Sequence, residues 1–264
     1  MNIFIYIILL SVISTSLFSA ELMSGDEIAR HINSRDEGIA VSRFLTMEMT
    51  DKRGKQRIRK THAFRKYYDL EKRTAIFYLE PKSIKDTAFL TYDYQAADKD
   101  DDQWLYLPAL RKVRRISASD RGDYFLGTDF TYEDIKLETR ISIEDYSRQT
   151  LGENEIDGFH CLLIESTPVT EEIAAELGYS RVEQCVDDQI WMVRQSKMWD
   201  LNGNPLKTIH SSDIRQVQGI WTQHALEVIN HKTGHQTKFL FSDVQYDKGI
   251  DDNLFTKNTL KRGL

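Results

Sequence analysis

The chain has 264 residues, a formal net charge of −6 and two cysteines. Its 35 basic residues are scattered among 41 acidic ones, which excludes the clustered positive charge of nucleic-acid-binding proteins, so no nucleic-acid partner is expected. The length is sufficient for one large β domain and does not require two.

The N-terminal segment at residues 3–18 is almost wholly apolar and uncharged, and the acidic Glu21 follows shortly after it. An apolar run of this length that ends in small residues is typical of a signal peptide rather than a spanning helix. We therefore predict a cleaved signal peptide at residues 1–20 and a single secreted domain at residues 21–264. An uncleaved membrane anchor is the alternative, because no Lys or Arg precedes the apolar run.

Two short helices are predicted. Ser24 and Glu27 have the spacing of a capping box, and Ile28 and Ile32 would lie on one face of the helix that follows. The second helix covers residues 170–177. It has acidic residues in its first turn and ends just before a glycine.

Most of the remaining chain consists of short apolar or alternating segments separated by turn residues, a pattern that predicts strands. The predicted strands are residues 40–50, 60–69, 73–79, 87–92, 103–107, 159–167, 179–187, 189–199, 207–210, 220–230 and 237–246. Trp104 and Leu105 would point to opposite faces of one strand, and both are apolar. The pattern predicts a mainly β protein, in which a curled antiparallel sheet is covered on both faces and closed by a few short helices.

Two features are candidates for a metal site. His231 and His235 have metal-like spacing, but Gly234 indicates a hairpin turn, and a solvated turn is favoured over a metal site. The acidic run at residues 98–102 lacks the central glycine and distant glutamate of a hand-type calcium loop, so a solvated charge run is favoured. No phosphate loop, nucleophile elbow or Cys–His pair is recognisable. We predict no catalytic residue, no metal and no cofactor.

The segment at residues 103–134 combines basic and acidic residues with interleaved aromatic ones. Arginine side chains that bind carboxylates through paired hydrogen bonds, shielded by aromatic side chains, would hold a non-regular segment in one conformation. A surface that docks a partner protein is the alternative. The residues predicted to form this loop brace or docking surface are Arg114, Arg115, Asp120, Arg121, Asp129, Glu133 and Asp134.

Two parts of this segment, WLYLPALRKVRRIS and SDRGDYFLGTDFTYED, resemble the signature of the outer-membrane lipoprotein-sorting protein family. That family is related to the LolA and LolB lipoprotein carriers and is often associated with RND-type lipid exporters. The resemblance begins at residues 25–28, continues through residues 78–81 and 85–90, and ends at residues 253–256. The family usually carries glycine where this chain has Asp86, which puts the tight turn there in doubt.

The resemblance implies a half-open β-barrel whose concave face is partly closed by helices and holds acyl chains. It implies a non-enzymatic periplasmic carrier or acceptor of a lipid or lipoprotein acyl group that cooperates with an RND-type inner-membrane exporter. The alternative is a lipid sensor or a structural accessory subunit of an envelope complex. The apolar residues predicted to line the cavity are Phe77, Leu79, Phe89, Trp104, Tyr106, Phe125 and Phe130.

The two cysteines lie in predicted strands that are joined through the helix at residues 170–177. If Ser166 is opposite Ser180 in an antiparallel pair, Cys161 lies opposite Cys185, close enough for a disulfide. This register is an assumption, and two small buried thiols are the alternative.

Overall fold

The computed structural model describes residues 22–69, 71–94, 99 and 101–264. The predicted signal peptide at residues 1–20 lies outside the described residues, and so do residues 98 and 100 of the acidic run. In the described part of the chain, no helix combines the length and apolar character needed to cross a membrane.

The described residues form one antiparallel sheet of 13 strands, and the predicted mainly β fold is confirmed. Its strands are β1 (Ala40–Thr50), β2 (Gln56–Tyr68), β3 (Glu71–Glu80), β4 (Ala88–Tyr94), β5 (Asp102–Leu107), β6 (Lys112–Ile116), β7 (Tyr146–Ile156), β8 (Phe159–Pro168), β9 (Arg181–Asp187), β10 (Met192–Trp199), β11 (Pro205–Val217), β12 (Ile220–Asn230) and β13 (Gln236–Tyr246). The spatial order is β6-β5-β4-β3-β2-β1-β13-β12-β11-β10-β9-β8-β7. The sheet is therefore two meanders joined by the β1–β13 pair, with β6 and β7 as open edges.

Within the part of the chain that the structure describes, four α-helices accompany the sheet: α1 (Gly25–Ser34), α2 (Tyr132–Leu137), α3 (Glu171–Leu177) and α4 (Lys257–Arg262). The predicted capping box at Ser24 and Glu27 is present at the start of α1. Helix α3 ends at Gly178, whose φ of 76° allows the left-handed cap. Helices α2 and α4 were not predicted.

The chain between β6 and β7, residues 117–145, crosses the concave face of the sheet, and we call it the plug. Its Phe125, Phe130, Tyr132 and Ile135 are buried in the main core cluster together with residues of β1–β5, β12 and β13. The rings of Phe130 and Phe239 stack with their centroids 4.1 Å apart. The interior of the curled sheet is thus filled by the chain's own aromatic side chains.

The convex face of β2–β5 is covered by residues 247–264, which follow β13 and which we call the C-terminal segment. Phe255 and Leu260 of this segment pack on Phe77, Leu90 and Trp104. The prediction that strands here are apolar on both faces is confirmed. The segment that covers the convex face contains α4, which was not predicted from the sequence.

Two edge elements differ from the sequence prediction. Residues 112–116 were expected to be non-regular, but they form strand β6, which pairs with β5. Strand β7 was not predicted at all, and it pairs with β8. Both strands are largely polar, as expected at a sheet edge that faces water.

Cys161 in β8 and Cys185 in β9 form a disulfide with a Cα–Cα distance of 5.4 Å. The assumed register is wrong, because Cys185 lies opposite Leu163 and Ser166 lies opposite Val182. The true register differs by two residues. Since side chains alternate with a period of two, that shift leaves both cysteines on the same face, where they bond diagonally.

The turn before β4 is tight even though it carries Asp86 in place of the family's usual glycine. Asp86 has a φ of 66°, in the left-handed region that favours glycine and that aspartate tolerates better than most residues. Its N–H donates to the carbonyl of Tyr78 at 3.0 Å, and the N–H of Thr87 donates to that of Ile84 at 3.1 Å. The tight turn is therefore present with aspartate in place of glycine.

Candidate ligand cavity

A cavity of about 160 Å³ lies between the plug and the concave face of the sheet. One of its walls is apolar. This wall is formed by side chains of β1–β3, β12, β13 and the plug: Leu45, Ala63, Ile76, Leu226, Phe239, Phe241, Phe130 and Ile135. Such a surface binds hydrocarbon through the hydrophobic effect, without directional contacts.

The wall formed by β8–β12 mixes apolar side chains with polar ones. The polar residues are Ser166, Gln184, Arg194, Gln195, Ser196, Ser211 and Gln223. The Gln184 amide donates to Ser196 Oγ at 3.3 Å, and the Ser211 hydroxyl donates to Gln223 Oε1 at 2.8 Å. The buried Ser166 hydroxyl has no hydrogen-bond partner among the described residues. The cavity is thus amphipathic and suits a ligand that is mainly apolar with some polar atoms.

A cluster of buried charges lies at one end of the cavity, where the plug ends and β1 begins. It comprises Arg35, Glu37, Arg43, Arg65, Glu138 and Arg140, and we call it the arginine cluster. Glu37 lies 2.8 Å from Arg35, 3.3 Å from Arg140 and 3.6 Å from Arg65. Glu138 lies 2.5 Å from Arg43 and 3.3 Å from Arg65. Because Arg43 lies on β1 and Glu138 directly follows α2, these contacts tie the plug to the sheet.

The carboxyl group of Glu37 is buried, with 6% of its side chain exposed. Burial opposes its ionisation, but the charges of Arg65 and Arg35, with hydrogen bonds from Thr139 and Tyr67, outweigh this effect and lower its pKa to about 2. The Tyr67 hydroxyl donates to Glu37 at 2.5 Å. Glu37 is therefore ionised at neutral pH and holds three arginines around it.

The middle of the plug is fixed to β11–β13 by a second set of polar contacts. Lys207 Nζ lies 2.6 Å from Asp134, which also caps α2 through the Thr131 N–H. Asp129 accepts hydrogen bonds from the Thr237 hydroxyl at 2.7 Å and the Asn230 amide at 3.1 Å. These buried bonds anchor both flanks of Phe130.

Arg121 ties the start of the plug to its end and to helix α3. Its guanidinium contacts both carboxylate oxygens of Asp145, at 3.1 and 3.2 Å, and Glu176 at 3.1 Å. The neighbouring Gly122 lies so close to α3 that a Cβ atom there would clash with the carbonyl oxygen of Glu176. The Arg-Gly pair of the signature thus allows the plug to approach α3.

The seven predicted brace residues do not form one network. Arg114 and Arg115 are exposed and pair separately with Asp120 at 3.6 Å and Asp102 at 2.8 Å. Arg121, Asp129 and Asp134 belong to the separate groups described above. The single ion-pair network expected for Arg114, Arg115, Arg121, Asp129 and Asp134 is therefore wrong, although several of its members do fix the plug.

Glu133 is, like Asp129, a fully buried member of the predicted set. It lies 3.0 Å from Lys136, yet neither of its oxygens accepts a hydrogen bond of good geometry within the described part of the chain. Burial raises the pKa of Glu133, against the opposing effect of Lys136 and Arg121. Glu133 also lines a second cavity of about 630 Å³, with Arg121 and Lys136, on the other side of the plug.

The structure divides six of the seven predicted cavity residues between the two faces of the sheet. Phe130 lines the cavity itself, and Phe89 and Phe125 pack beside it in the same concave-face cluster. By contrast, Phe77, Trp104 and Tyr106 lie on the convex face under the C-terminal segment. Leu79 lies where the register between β2 and β3 shifts, and it belongs to neither cluster.

The arginine cluster was not predicted from the sequence. One signal for it was present in the strand pattern, because Arg43 occupies an inward position between Val41 and Leu45, and Arg65 occupies one between Ala63 and Tyr67. A charged residue in the inward register of a strand needs a buried partner. The partners lie on the linker after α1 and on the plug, and no local pattern connects those segments to β1 and β2.

A long, curled, open antiparallel sheet whose concave face is closed by an internal plug defines a LolA-like half-open barrel. A family model described as "-like: Uncharacterized protein" matches residues 70–262. The chain belongs to this family, and its predicted relation to the outer-membrane lipoprotein-sorting, LolA-like proteins is confirmed.

Three solved structures illustrate the relation. A domain from Vibrio parahaemolyticus, named for outer membrane lipoprotein sorting, is 28% identical, with a TM-score of 0.81 over 90% of this chain and 98% of that one. A DUF1329 family protein from Desulfovibrio piger is 26% identical, with a TM-score of 0.81 over 89% and 97%. A LolA superfamily protein from Nitrosomonas europaea shares the fold at 18% identity, with a TM-score of 0.66 over 90% and 99%. None of the curated proteins matches this chain.

Proposed function

We propose that this protein is a periplasmic carrier or acceptor of a lipid or lipoprotein acyl group, which it binds without covalent chemistry between the plug and the concave face. The observation that carries the proposal is the cavity beneath the plug, with its apolar wall on β1–β3, β12 and β13. The similarity to a domain named for outer membrane lipoprotein sorting supports the same class of cargo.

The size of the cavity indicates how binding would occur. A volume of about 160 Å³ is close to that of an apolar cavity that holds a single benzene ring, roughly 150 Å³. An acyl chain needs more room, so it enters only if the plug moves away from the sheet.

The hydrophobic contributions of the plug and of an acyl chain to the free energy are similar in size. Burying ten methylene groups gains about 8 kcal/mol, and burying the four plug side chains Phe125, Phe130, Tyr132 and Ile135 gains roughly 1.5–3 kcal/mol each. Because both occupants bury apolar surface against the same wall, neither displaces the other irreversibly. A carrier needs this balance, since it must release what it binds.

The partner of such a carrier would be a membrane protein that supplies or receives the lipid. The similarity of the signature to proteins associated with RND-type exporters supports an inner-membrane exporter of that type in this role. Chemical crosslinking in whole cells, followed by mass spectrometry of the crosslinked partner, tests this part of the proposal.

A matched pair of variants on β12 tests acyl binding. Leu226 lines the cavity, whereas Ile229, three positions along the same strand, is 41% exposed on the convex face. We expect Leu226→Asp to reduce the uptake of a fluorescent fatty acid by tenfold or more, because the carboxylate must be desolvated when the chain binds. Ile229→Asp should bind as the wild type does. Equal uptake by both variants, with circular dichroism showing both folded, would contradict the proposed site.

Native mass spectrometry of protein purified from periplasm tests the carrier role directly. A co-purifying lipid, lost in Leu226→Asp and retained in Ile229→Asp, is the expected result. A folded protein that never carries lipid, and takes up none in vitro, would instead favour a structural accessory role in an envelope complex.

A further inference from the structure

The arginine cluster contains more positive charge than its own carboxylates neutralise. Four arginines surround two glutamates, and within the described residues no third carboxylate lies within 4.0 Å of any of these guanidinium groups. The side chains are largely buried, with exposed fractions of 8% for Arg35, 4% for Arg65 and 12% for Arg43. Since arginine does not lose its proton in proteins, the cluster carries an uncompensated charge close to +2.

Backbone carbonyls satisfy part of the hydrogen-bonding capacity of these arginines but none of the charge. Arg35 donates to the carbonyl of Trp191 at 2.9 Å, and Arg65 donates to that of Glu37. The buried Nε atoms of Arg35 and Arg65 have no hydrogen-bond partner within the described residues. Burial lowers the pKa of Arg35 despite the nearby charge of Glu37, as expected for an incompletely neutralised guanidinium.

The other two arginines that line the cavity each have a carboxylate of their own. Asp187 lies 2.6 Å from Arg194, and Asp26 lies 3.6 Å from Arg148. Three members of the cluster, Arg35, Arg43 and Arg140, line the cavity together with Glu138. The excess charge is therefore placed where the apolar wall ends, at the point where an amphiphile lying along that wall would have its headgroup.

We propose that the arginine cluster binds the anionic headgroup, a phosphate or carboxylate, of the lipid whose apolar part lies in the cavity. This inference rests on the proposed function and adds a cargo class to it, an acidic amphiphile. Planar guanidinium groups match both anions with paired N–H donors. The bound anion neutralises the positive charge that Glu37 and Glu138 do not balance. It also competes with Glu138 for Arg43, and this competition weakens the contact between the plug and the sheet.

The experiment compares two amphiphiles of equal chain length, hexadecyl phosphate and hexadecanol, by displacement of the neutral fluorescent probe N-phenyl-1-naphthylamine. Wild-type protein should bind the phosphate more tightly than the alcohol by about tenfold to a hundredfold, the range for hydrogen bonds between charged groups. Hexadecanoate in place of hexadecyl phosphate distinguishes a carboxylate headgroup from a phosphate one. Inorganic phosphate alone should not displace the probe, since it lacks the apolar part.

Arg140→Gln is the informative variant, because Arg140 is the most exposed of the four and pairs only with Glu37 within the described residues. It should lower the phosphate-to-alcohol affinity ratio several-fold, and Arg140→Lys should restore part of it by restoring the charge. Arg215→Gln, an exposed arginine on β11 whose ion pair with Asp213 is 3.7 Å long, is the control and should leave the ratio unchanged. Circular dichroism and thermal unfolding check that each variant is folded.

The outcomes separate this inference from the proposed function. Equal affinities for phosphate and alcohol in the wild type, or an unchanged ratio in folded Arg140→Gln, would overturn the headgroup site while leaving the acyl cavity intact. Displacement by inorganic phosphate at the same concentrations would identify a free-anion site and overturn the lipid assignment. If neither the probe nor any amphiphile binds, the proposed function itself fails.

Discussion

Replacing Glu37 by glutamine should destabilise the protein at neutral pH and weaken its dependence on acid. The pKa of this buried carboxyl falls from an ordinary value of 4.5 to about 2 in the folded protein. At about 1.4 kcal/mol per pH unit, that difference corresponds to roughly 3 kcal/mol of stabilisation. A similar value, about 3–5 kcal/mol, is expected when one partner of a buried ion pair is removed.

The sign of the pH dependence follows from the lowered pKa. The stabilisation is fully present above pH 4.5, where the carboxyl is ionised in both folded and unfolded protein, and it is lost as the pH falls towards 2. Glu37→Gln lacks the titrating group. The stability difference between wild type and variant should therefore be largest near pH 6 and shrink steadily between pH 4.5 and the lowest pH at which the protein stays folded.

Urea unfolding followed by tryptophan fluorescence at pH 6, 5, 4 and 3 measures this difference. Glu155→Gln, on an exposed position of edge strand β7, is the matched control and should follow the wild type at every pH. A stability difference that is the same at pH 6 and pH 3 would refute the reasoning, because it would show that Glu37 does not titrate differently on folding.

Three further predictions test other parts of the structure. Protein purified without reductant should show no alkylated thiol by mass spectrometry, and replacing Cys161 and Cys185 with alanine should lower stability by about 3 kcal/mol by the loop-entropy argument. Asp86→Gly should increase the free energy of unfolding by up to about 1 kcal/mol and raise the melting temperature, because the left-handed φ of 66° strains a residue with a Cβ atom. A lower melting temperature would contradict this. Arg115→Ala and Asp129→Ala should have additive effects on stability, within about 0.5 kcal/mol, because they share no partner; clear non-additivity in a double-mutant cycle would restore the single network.

The central strands were predictable because each shows an apolar pattern that reflects burial. The predicted bounds of β1 and β12 agree with the structure to the residue. The two strands that were missed, β6 and β7, are the two edges of the sheet. An edge strand has fewer buried side chains and carries more charge, so its sequence resembles a loop.

The site was less predictable than the fold, because its parts come from distant segments. Alternation identified Phe89 and Trp104 as apolar strand residues, but it does not reveal which face is concave. Thr131 and Asp134 form a capping box at the start of α2. This helix was not predicted, because it lies within a highly charged segment. Glu37 and Arg140 meet only in the folded chain, so their pairing requires the three-dimensional structure.

The pairing of β1 with β13 has a consequence for how the chain is made. These strands lie at opposite ends of the described sequence, yet they form the middle of the sheet. During synthesis the centre of the sheet cannot form until the last strand has emerged, and contacts so distant in sequence form slowly. Until then β1 is an unpaired edge with Val41, Leu45 and Met47 on one face, a surface prone to aggregation. A truncation that removes β13 would therefore leave two separate sheets instead of one shorter sheet.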